Sequence, residues 1–219
     1  MEPRIKFSEE MSSIYGKVIL MGEKIEENFD LAFQAFKSGN LDLSKHVKSA
    51  DFLIDQMQTE IEDYCAVIIA REQPVATDLR EIITVLKIVT ELERIGDHAR
   101  HLAKATGQFD TDKMDIGLPY IEKMLKLGLE MMGDALEAFR IRDLKLAEEV
   151  AKRDDKIDAE HKKFYEQILQ AIRQNPEQIE KEVPLLFLNR YLERLGDRVT
   201  NICEWVMFSI TGKHYELNK

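Results

Sequence analysis

Between Leu79 and Val89 the apolar residues Leu79, Ile82, Leu86 and Val89 recur at steps of three and four, the spacing of one face of an α-helix. Nowhere does the chain alternate apolar and polar residues strictly enough for a half-buried strand. Stop signals divide the periodic stretches: Gly39-Asn40 closes the first, Pro74 the second and Gly107 the third. Glycine and asparagine accept the left-handed cap of a helix end, and proline pushes its neighbour out of the helical region. The pattern predicts helices over about 8–37, 41–71 and 76–106, and again over about 115–141, 143–173 and 177–211. The segment TGQFDTDKMDIGLP (106–119), with its glycines, proline and aspartates, is the predicted link between the two sets.

The second set repeats the first. Phe36-Lys-Ser-Gly-Asn-Leu-Asp-Leu lies 103 positions before Phe139-Arg-Ile-Arg-Asp-Leu-Lys-Leu, and Ala32/Ala135, Asp51/Asp154 and Asp55/Asp158 match at the same offset. Further on, Glu93/Glu193 and Asp97/Asp197 match at an offset of 100. The length change falls between 71–80 and 173–182, where a loop tolerates it. The chain therefore reads as two copies of one unit, residues 1–108 and 109–219. Short connections make consecutive helices antiparallel neighbours. The expected fold is all-α, two tandem three-helix bundles.

Composition narrows the function. Charged residues make up 33% of the 219 and hydrophobic ones 44%, with only 10 glycines and 5 prolines, a balance that suits long helices and few loops. The net charge of −10 argues against a nucleic-acid surface and fits cation binding or simple solubility. Cys65 and Cys203 sit in apolar runs without metal-type spacing and read as buried thiols of a reducing compartment. The N-terminal stretch has no apolar leader core, and the apolar runs 65–70 and 183–188 are too short to span a bilayer. The expectation is a cytoplasmic protein that meets a membrane only through partners. There is no P-loop, nucleophile elbow or dinucleotide glycine pattern, and no nucleophile stands beside a base, so no enzyme is expected.

The chemistry lies in repeated carboxylates. ELERIGDHARH (91–101) returns as YLERLGDRVTN (191–201). Glu93 and Asp97 point within about 40° of each other on a helix, in the direction already taken by Leu79, Ile82, Leu86 and Val89; Leu186 shares the direction of Glu193. Gly96 and Gly196 flank the pairs. A helical glycine costs roughly 1 kcal/mol against alanine, so both mark a close approach to the backbone. The second helices carry Asp51/Asp55 and Asp154/Asp158, and like charges four apart destabilise a helix by about 0.2–0.5 kcal/mol. From Pro74, Asp55 lies about 19 residues back and Glu93 about 19 forward; from Pro176, Asp158 lies about 18 back and Glu193 about 17 forward. In each hairpin the two pairs meet at one level, gathering four carboxylates that need cations. Oxygen donors favour hard ions such as Mg²⁺, Mn²⁺, Ca²⁺ or iron. Arg94, Arg100, Arg190, Arg194 and Arg198 are near enough to supply the charge instead, and spacing alone does not choose.

LERIGDHAR (92–100), LERLGDRVTNICE (192–204), RxQPVATDLR (71–80) and the segments DFLID (51–55) and DDKID (154–158) resemble the PhoU family of phosphate-specific transport accessory proteins, over nearly the whole chain. The resemblance implies tandem three-helix bundles with metal ions on their acidic surfaces, iron or another divalent cation such as zinc, manganese or magnesium, in clusters that can be multinuclear. It places ligands at Glu93 and Asp97 in one site and Glu193 and Asp197 in the other, joined by Asp51, Asp55, Asp154 and Asp158. It also implies a homodimeric adaptor between the ATPase subunit of the phosphate ABC transporter and a sensor histidine kinase, acting as a negative regulator of phosphate-starvation genes. One departure stands out. The first unit has His101 and Lys104 where the second has Asn201 and Glu204. Lys104 points within about 20° of Glu93 and is expected to neutralise a carboxylate there.

Other residues carry weaker signals. His161 follows Asp158 by three, like the Glu-x-x-His ligands of di-iron bundles; a ferritin-like oxidase needs two such pairs, and the chain offers one. His98, turned away from Asp97, is expected to be solvated. Arg80 opens the third helix, as a helix-end charge or an interaction residue. Trp205 and Phe208 share a face, for core packing or for docking a partner or a second subunit.

Overall fold

The computed structural model describes residues 2–109 and 117–218. These residues form α1 (Glu2–Ser38), α2 (Leu41–Glu72), α3 (Thr77–Lys104), α4 (Gly117–Ile141), α5 (Leu144–Ala151), α6 (Asp154–Gln174) and α7 (Ile179–Thr211), with a 3₁₀ turn at Pro176–Gln178 and no strand. Linker residues 110–116, with the expected start of the fourth helix near 115, lie outside the described residues. Among the described residues no helix is long and apolar enough to cross a membrane.

Helices α1, α2 and α3 pack on one another as the first bundle; α4, α5–α6 and α7 form the second; α3 lies against α7 and α1 against α4. Helix α1 buries Ile14, Val18, Met21, Ile25, Phe29 and Phe36 completely or nearly so, at the three-and-four spacing that sets one face inward. Each such side chain contributes roughly 1.5–3 kcal/mol through burial. One apolar cluster runs through both bundles. Both cysteines lie in it as free, buried thiols.

The sequence repeat is a repeat of local physics. Asn40 caps α2 by accepting from the backbone N–H groups of Asp42 and Leu43. Asp143, its counterpart, caps α5 by accepting from Lys145 and Leu146. The residue before each cap is left-handed: Gly39 at φ 64° and Arg142 at φ 57°. A capping side chain of this kind is worth about 1 kcal/mol.

One expected helix is interrupted. The stretch 143–173 is not continuous: Lys152 and Arg153 form a tight junction between α5 and α6. There Arg153 N–H donates to the Val150 carbonyl at 2.9 Å and Lys156 N–H to the Arg153 carbonyl at 3.0 Å, the three-residue bonds of 3₁₀ geometry. The Arg153 guanidinium pairs with Asp134 of α4. Asp154 is thereby the first residue of a new helix, whereas Asp51 lies inside α2.

The α3–α7 seam joins the bundles through equivalent positions filled with different chemistry. Glu91 of α3 is buried and accepts from Arg198 at 3.1 Å and Asn201 at 3.3 Å. Its counterpart Tyr191 stacks on His101 at 4.1 Å and on His98 at 5.7 Å between ring centroids. Residues 91, 98 and 101 correspond to 191, 198 and 201, so the same crossing is made once by an ion pair and once by rings. His98 is therefore in the seam, only 9% exposed, and not solvated as its helical direction suggested. That direction faces away from the first bundle but into the second.

Burial, with the charges of His101, Arg198 and Arg194, pushes the His98 imidazole down to about 4 from 6.5. The folded ring stays neutral to lower pH than the unfolded ring. The unfolded chain thus binds more protons between those values, and stability falls as pH drops through that window. We expect His98→Phe, which keeps the stack, to lose less stability than the parent protein between pH 7 and pH 5, by on the order of 1–2 kcal/mol in urea unfolding. Identical pH dependence of the two proteins would contradict a buried neutral ring.

Candidate metal centres

In the first bundle Asp51 and Asp55 of α2 face Glu93 and Asp97 of α3. Gly96 allows the approach: a Cβ there would lie 3.3 Å from Ile54 Cγ2, tighter than ordinary side-chain packing. Asp51 is buried and Asp55 exposed, while Glu93 and Asp97 are half-buried. The carboxylates feel one another. Burial, then the charges of Asp97 and Asp55, push the Glu93 carboxyl above its usual range. A cation is already built in. Arg100, one turn beyond Asp97, places Nη1 2.8 Å from Asp51 Oδ2 and Nη2 2.5 Å from Asp97 Oδ1, bridging the two helices. Burial still outweighs this partner and leaves the Asp51 carboxyl raised. The neutralising residue is thus Arg100 rather than Lys104, which stays exposed.

In the second bundle Asp154 and Asp158 of α6 face Glu193 and Asp197 of α7. The approach is closer: a Cβ at Gly196 would collide with Asp154 Oδ1 and lie 3.0 Å from Ile157 Cδ1. The position matching Arg100 is Thr200, whose hydroxyl donates to Asp154 Oδ2 at 3.4 Å. Among the described residues no guanidinium bridges these helices. Burial, then the charges of Asp158 and Asp197, push the Asp154 carboxyl up to about 7. Burial and Asp197 raise Glu193, with Arg190 and His161 opposing. Burial raises Asp197 as well, against Arg190. Asp154 Oδ1 and Glu193 Oε2 are buried without a hydrogen-bond partner. Arg190 pairs with Glu193 along the helix.

The two clusters therefore differ in their fitness for a metal ion. The second offers two buried carboxylate oxygens without a donor and hard donors on two helices, the chemistry a hard divalent cation takes, with Arg190 the near counter-charge on Glu193. The first has an internal guanidinium where the ion's charge would act, and does not fit one equally. As placed, no three His, Cys, Asp or Glu side chains among the described residues could together hold a metal ion. His161 faces the second cluster but has its Nδ1 3.4 Å from the Asn189 carbonyl. Glu204 accepts from the Leu217 backbone N–H at 2.6 Å, and Asn201 from the Asn218 side chain at 2.9 Å. Trp205 and Phe208 meet edge to face at 5.6 Å and His214 stacks on Phe208, with Arg80 over the same ring.

The Arg100/Thr200 difference escaped sequence reasoning although the offset of 100 exposes it. Arginine's long stem reaches a neighbouring helix, and a projection of its own helix does not show this.

Two three-helix bundles in tandem, each with an acidic cluster between its second and third helices, define a class of protein. The profile of the PhoU domain matches residues 18–106 and again 121–206, and the chain belongs to the PhoU family. It is 36% identical over 213 residues to a phosphate-specific transport system accessory protein PhoU homolog of Clostridium acetobutylicum, covering 97% of each chain. It is 30% identical over 210 residues to the phosphate-specific transport system accessory protein PhoU of Escherichia coli, covering 96% of this chain and 87% of that one. The crystal structure of PhoU from Pseudomonas aeruginosa superposes with a TM-score of 0.87 at 31% identity, over 94% of this chain and 100% of that chain. The phosphate transport system regulatory protein PhoU of Streptococcus pneumoniae gives 0.88 at 28% identity, over 96% and 99%.

The unequal clusters lead to opposite mutational signs. In a chelating buffer at pH 8, Asp154→Asn raises thermal stability, because it removes a buried charge that lacks a cation. The gain, after solvent screening, is on the order of 1 kcal/mol, or about 2–4 °C. Arg100→Gln lowers stability by a similar amount or more, because Asp51 and Asp97 lose their counter-charge, and added Mn²⁺ restores it. A fall with Asp154→Asn, or indifference to Arg100→Gln, would contradict these roles.

Proposed function

We propose that this protein is a cytoplasmic, homodimeric regulator of phosphate uptake and a negative regulator of phosphate-starvation signalling. In this reading it is an adaptor between the ATPase subunit of a phosphate ABC transporter and a sensor histidine kinase. The observation that carries the reading is the match, over nearly the full length, to accessory proteins of the phosphate-specific transport system. Exposed apolar side chains, Phe52 and Leu53 next to Asp51 on α2 and Phe187 on α7, suit contacts with other proteins.

Asp154, Asp158, Glu193 and Asp197 are the residues that would hold a divalent cation such as Mn²⁺, Mg²⁺, Zn²⁺ or iron. Bound there, the ion supplies positive charge between α6 and α7 and lets all four carboxylates ionise. The chain's part is to present them: Gly196 admits Asp154, and Thr200 orients one of its oxygens. In the first bundle Asp51, Asp55, Glu93 and Asp97 surround Arg100, which favours the metal-free balance of charge for that half. The adaptor surface then carries one fixed and one exchangeable counter-charge.

Deleting the gene tests the function. Expression of phosphate-starvation genes should rise severalfold in phosphate-rich medium and return on complementation. Unchanged expression would remove the signalling role.

A further inference from the structure

A groove of about 650 Å³ lies between α1 and α4, where the two bundles meet. The helices touch beside it, where Gly22 receives the Leu136 side chain. The groove is lined from 26–33 of α1 and 122–134 of α4, and its floor is apolar: Phe33, Leu125 and Leu129. Its two walls use equivalent positions of the repeat. The offset of 103 equates Glu26 with Leu129 and Asp30 with Gly133, so the α1 wall is acidic where the α4 wall is apolar or bare. Lys126 pairs with Glu130 at 3.9 Å, and Arg153 with Asp134. Glu26, Asp30 and Glu122 are exposed and make no ion pair among the described residues.

Two features of this groove have no use inside the chain. Glu26 and Asp30 are like charges four apart, which weakens a helix, and no cation offsets them. Gly133 is exposed in the middle of α4, which also weakens a helix, yet a Cβ there would meet nothing within 4 Å. Gly22, Gly96, Gly128 and Gly196 each meet a side chain of a neighbouring helix; Gly16 is as open as Gly133 but does not line the groove. A bare glycine beside an apolar floor lets a second backbone come close. The α4 wall is about 18 Å long, the rise of a helix of about 12 residues. Such a helix would lay apolar residues at i, i+3 or i+4 and i+7 on the floor, and lysine or arginine at its edge would answer the three free carboxylates. A second copy of the chain lacks that charge. A two-fold contact through this face sets each patch against itself, acid against acid. We propose that this groove docks a basic amphipathic helix of a partner protein. The inference goes beyond the adaptor role by giving the chemistry of one contact surface, and it does not depend on a cation at either carboxylate cluster.

Fluorescence anisotropy of the full chain with a labelled helical peptide of about 12 residues tests this. The peptide carries leucine on one face and lysine on the other, and a twin carries glutamate in place of lysine. The lysine peptide should bind and the twin should bind at least about tenfold more weakly. Glu26→Lys/Asp30→Lys should weaken the lysine peptide at least about tenfold. Glu166→Lys/Glu180→Lys makes the same charge change at exposed acids outside the groove and should leave affinity within about twofold. Gly133→Leu, which projects into open space, should abolish binding at an unchanged or higher melting temperature. Absence of binding by the lysine peptide, equal losses from the two charge reversals, or full binding by Gly133→Leu would overturn the docking site. So would a dimer that Gly133→Leu splits in sedimentation, because a second copy would then fill the groove.

Discussion

Four carboxylates held between two helices cannot all stay ionised without a counter-charge. At about 4 Å two like charges cost on the order of 4 kcal/mol at the effective dielectric of a protein surface. The chain makes this arrangement twice, and much of its structure follows from how each copy balances it. In the first bundle the balance is covalent to the chain, because Arg100 bridges Asp51 and Asp97. In the second, Thr200 stands in that place and offers only a hydroxyl. Asp154 then keeps its proton to about neutral pH, and two buried oxygens have no donor. One substitution at equivalent positions separates a cluster bridged by its own guanidinium from one bridged by none among the described residues.

The seam between the bundles shows the same divergence from symmetry. Glu91 draws in Arg198 and Asn201, while Tyr191 draws in His98 and His101. Arg198 is thus fixed in place by the first bundle while it lines a groove beside the second cluster. The tail residues Leu217 and Asn218 fold back to Glu204, Asp197 and Asn201. Charge at the second cluster is in this way connected to the inter-bundle packing and to the C-terminal segment.

Much of this was legible in the sequence, for reasons that can be named. Apolar spacing and stop residues located the helices to within a few residues, apart from the N-terminal extension of α1 to Glu2. The offset of 103 aligned Asn40 with Asp143, which the structure shows capping α2 and α5, and counting from the two prolines put the carboxylates of each bundle at one level. The flanking glycines did mark close approaches, made by Ile54 in one copy and by Asp154 and Ile157 in the other. What stayed hidden depends on tertiary reach. At the 3₁₀ junction Lys152-Arg153 the arginine pairs with Asp134 on another helix, a contact no local pattern shows. The burial of His98 is set by the second bundle, which periodicity within the first cannot register. Lys104 pointed the right way on a helical projection, but the reach of Arg100 decided which cation arrives.

Counting bound cations bears most directly on the central claim, that counter-charge is internal in one bundle and external in the other. Equilibrium dialysis of purified protein against Mn²⁺, with bound metal measured by elemental analysis, gives that count whatever the nuclearity of the site. Glu193→Ala/Asp197→Ala should lose essentially all bound Mn²⁺, and Glu93→Ala/Asp97→Ala should keep the parent amount. Equal losses from the two double variants, or retention of metal by the first, would contradict it.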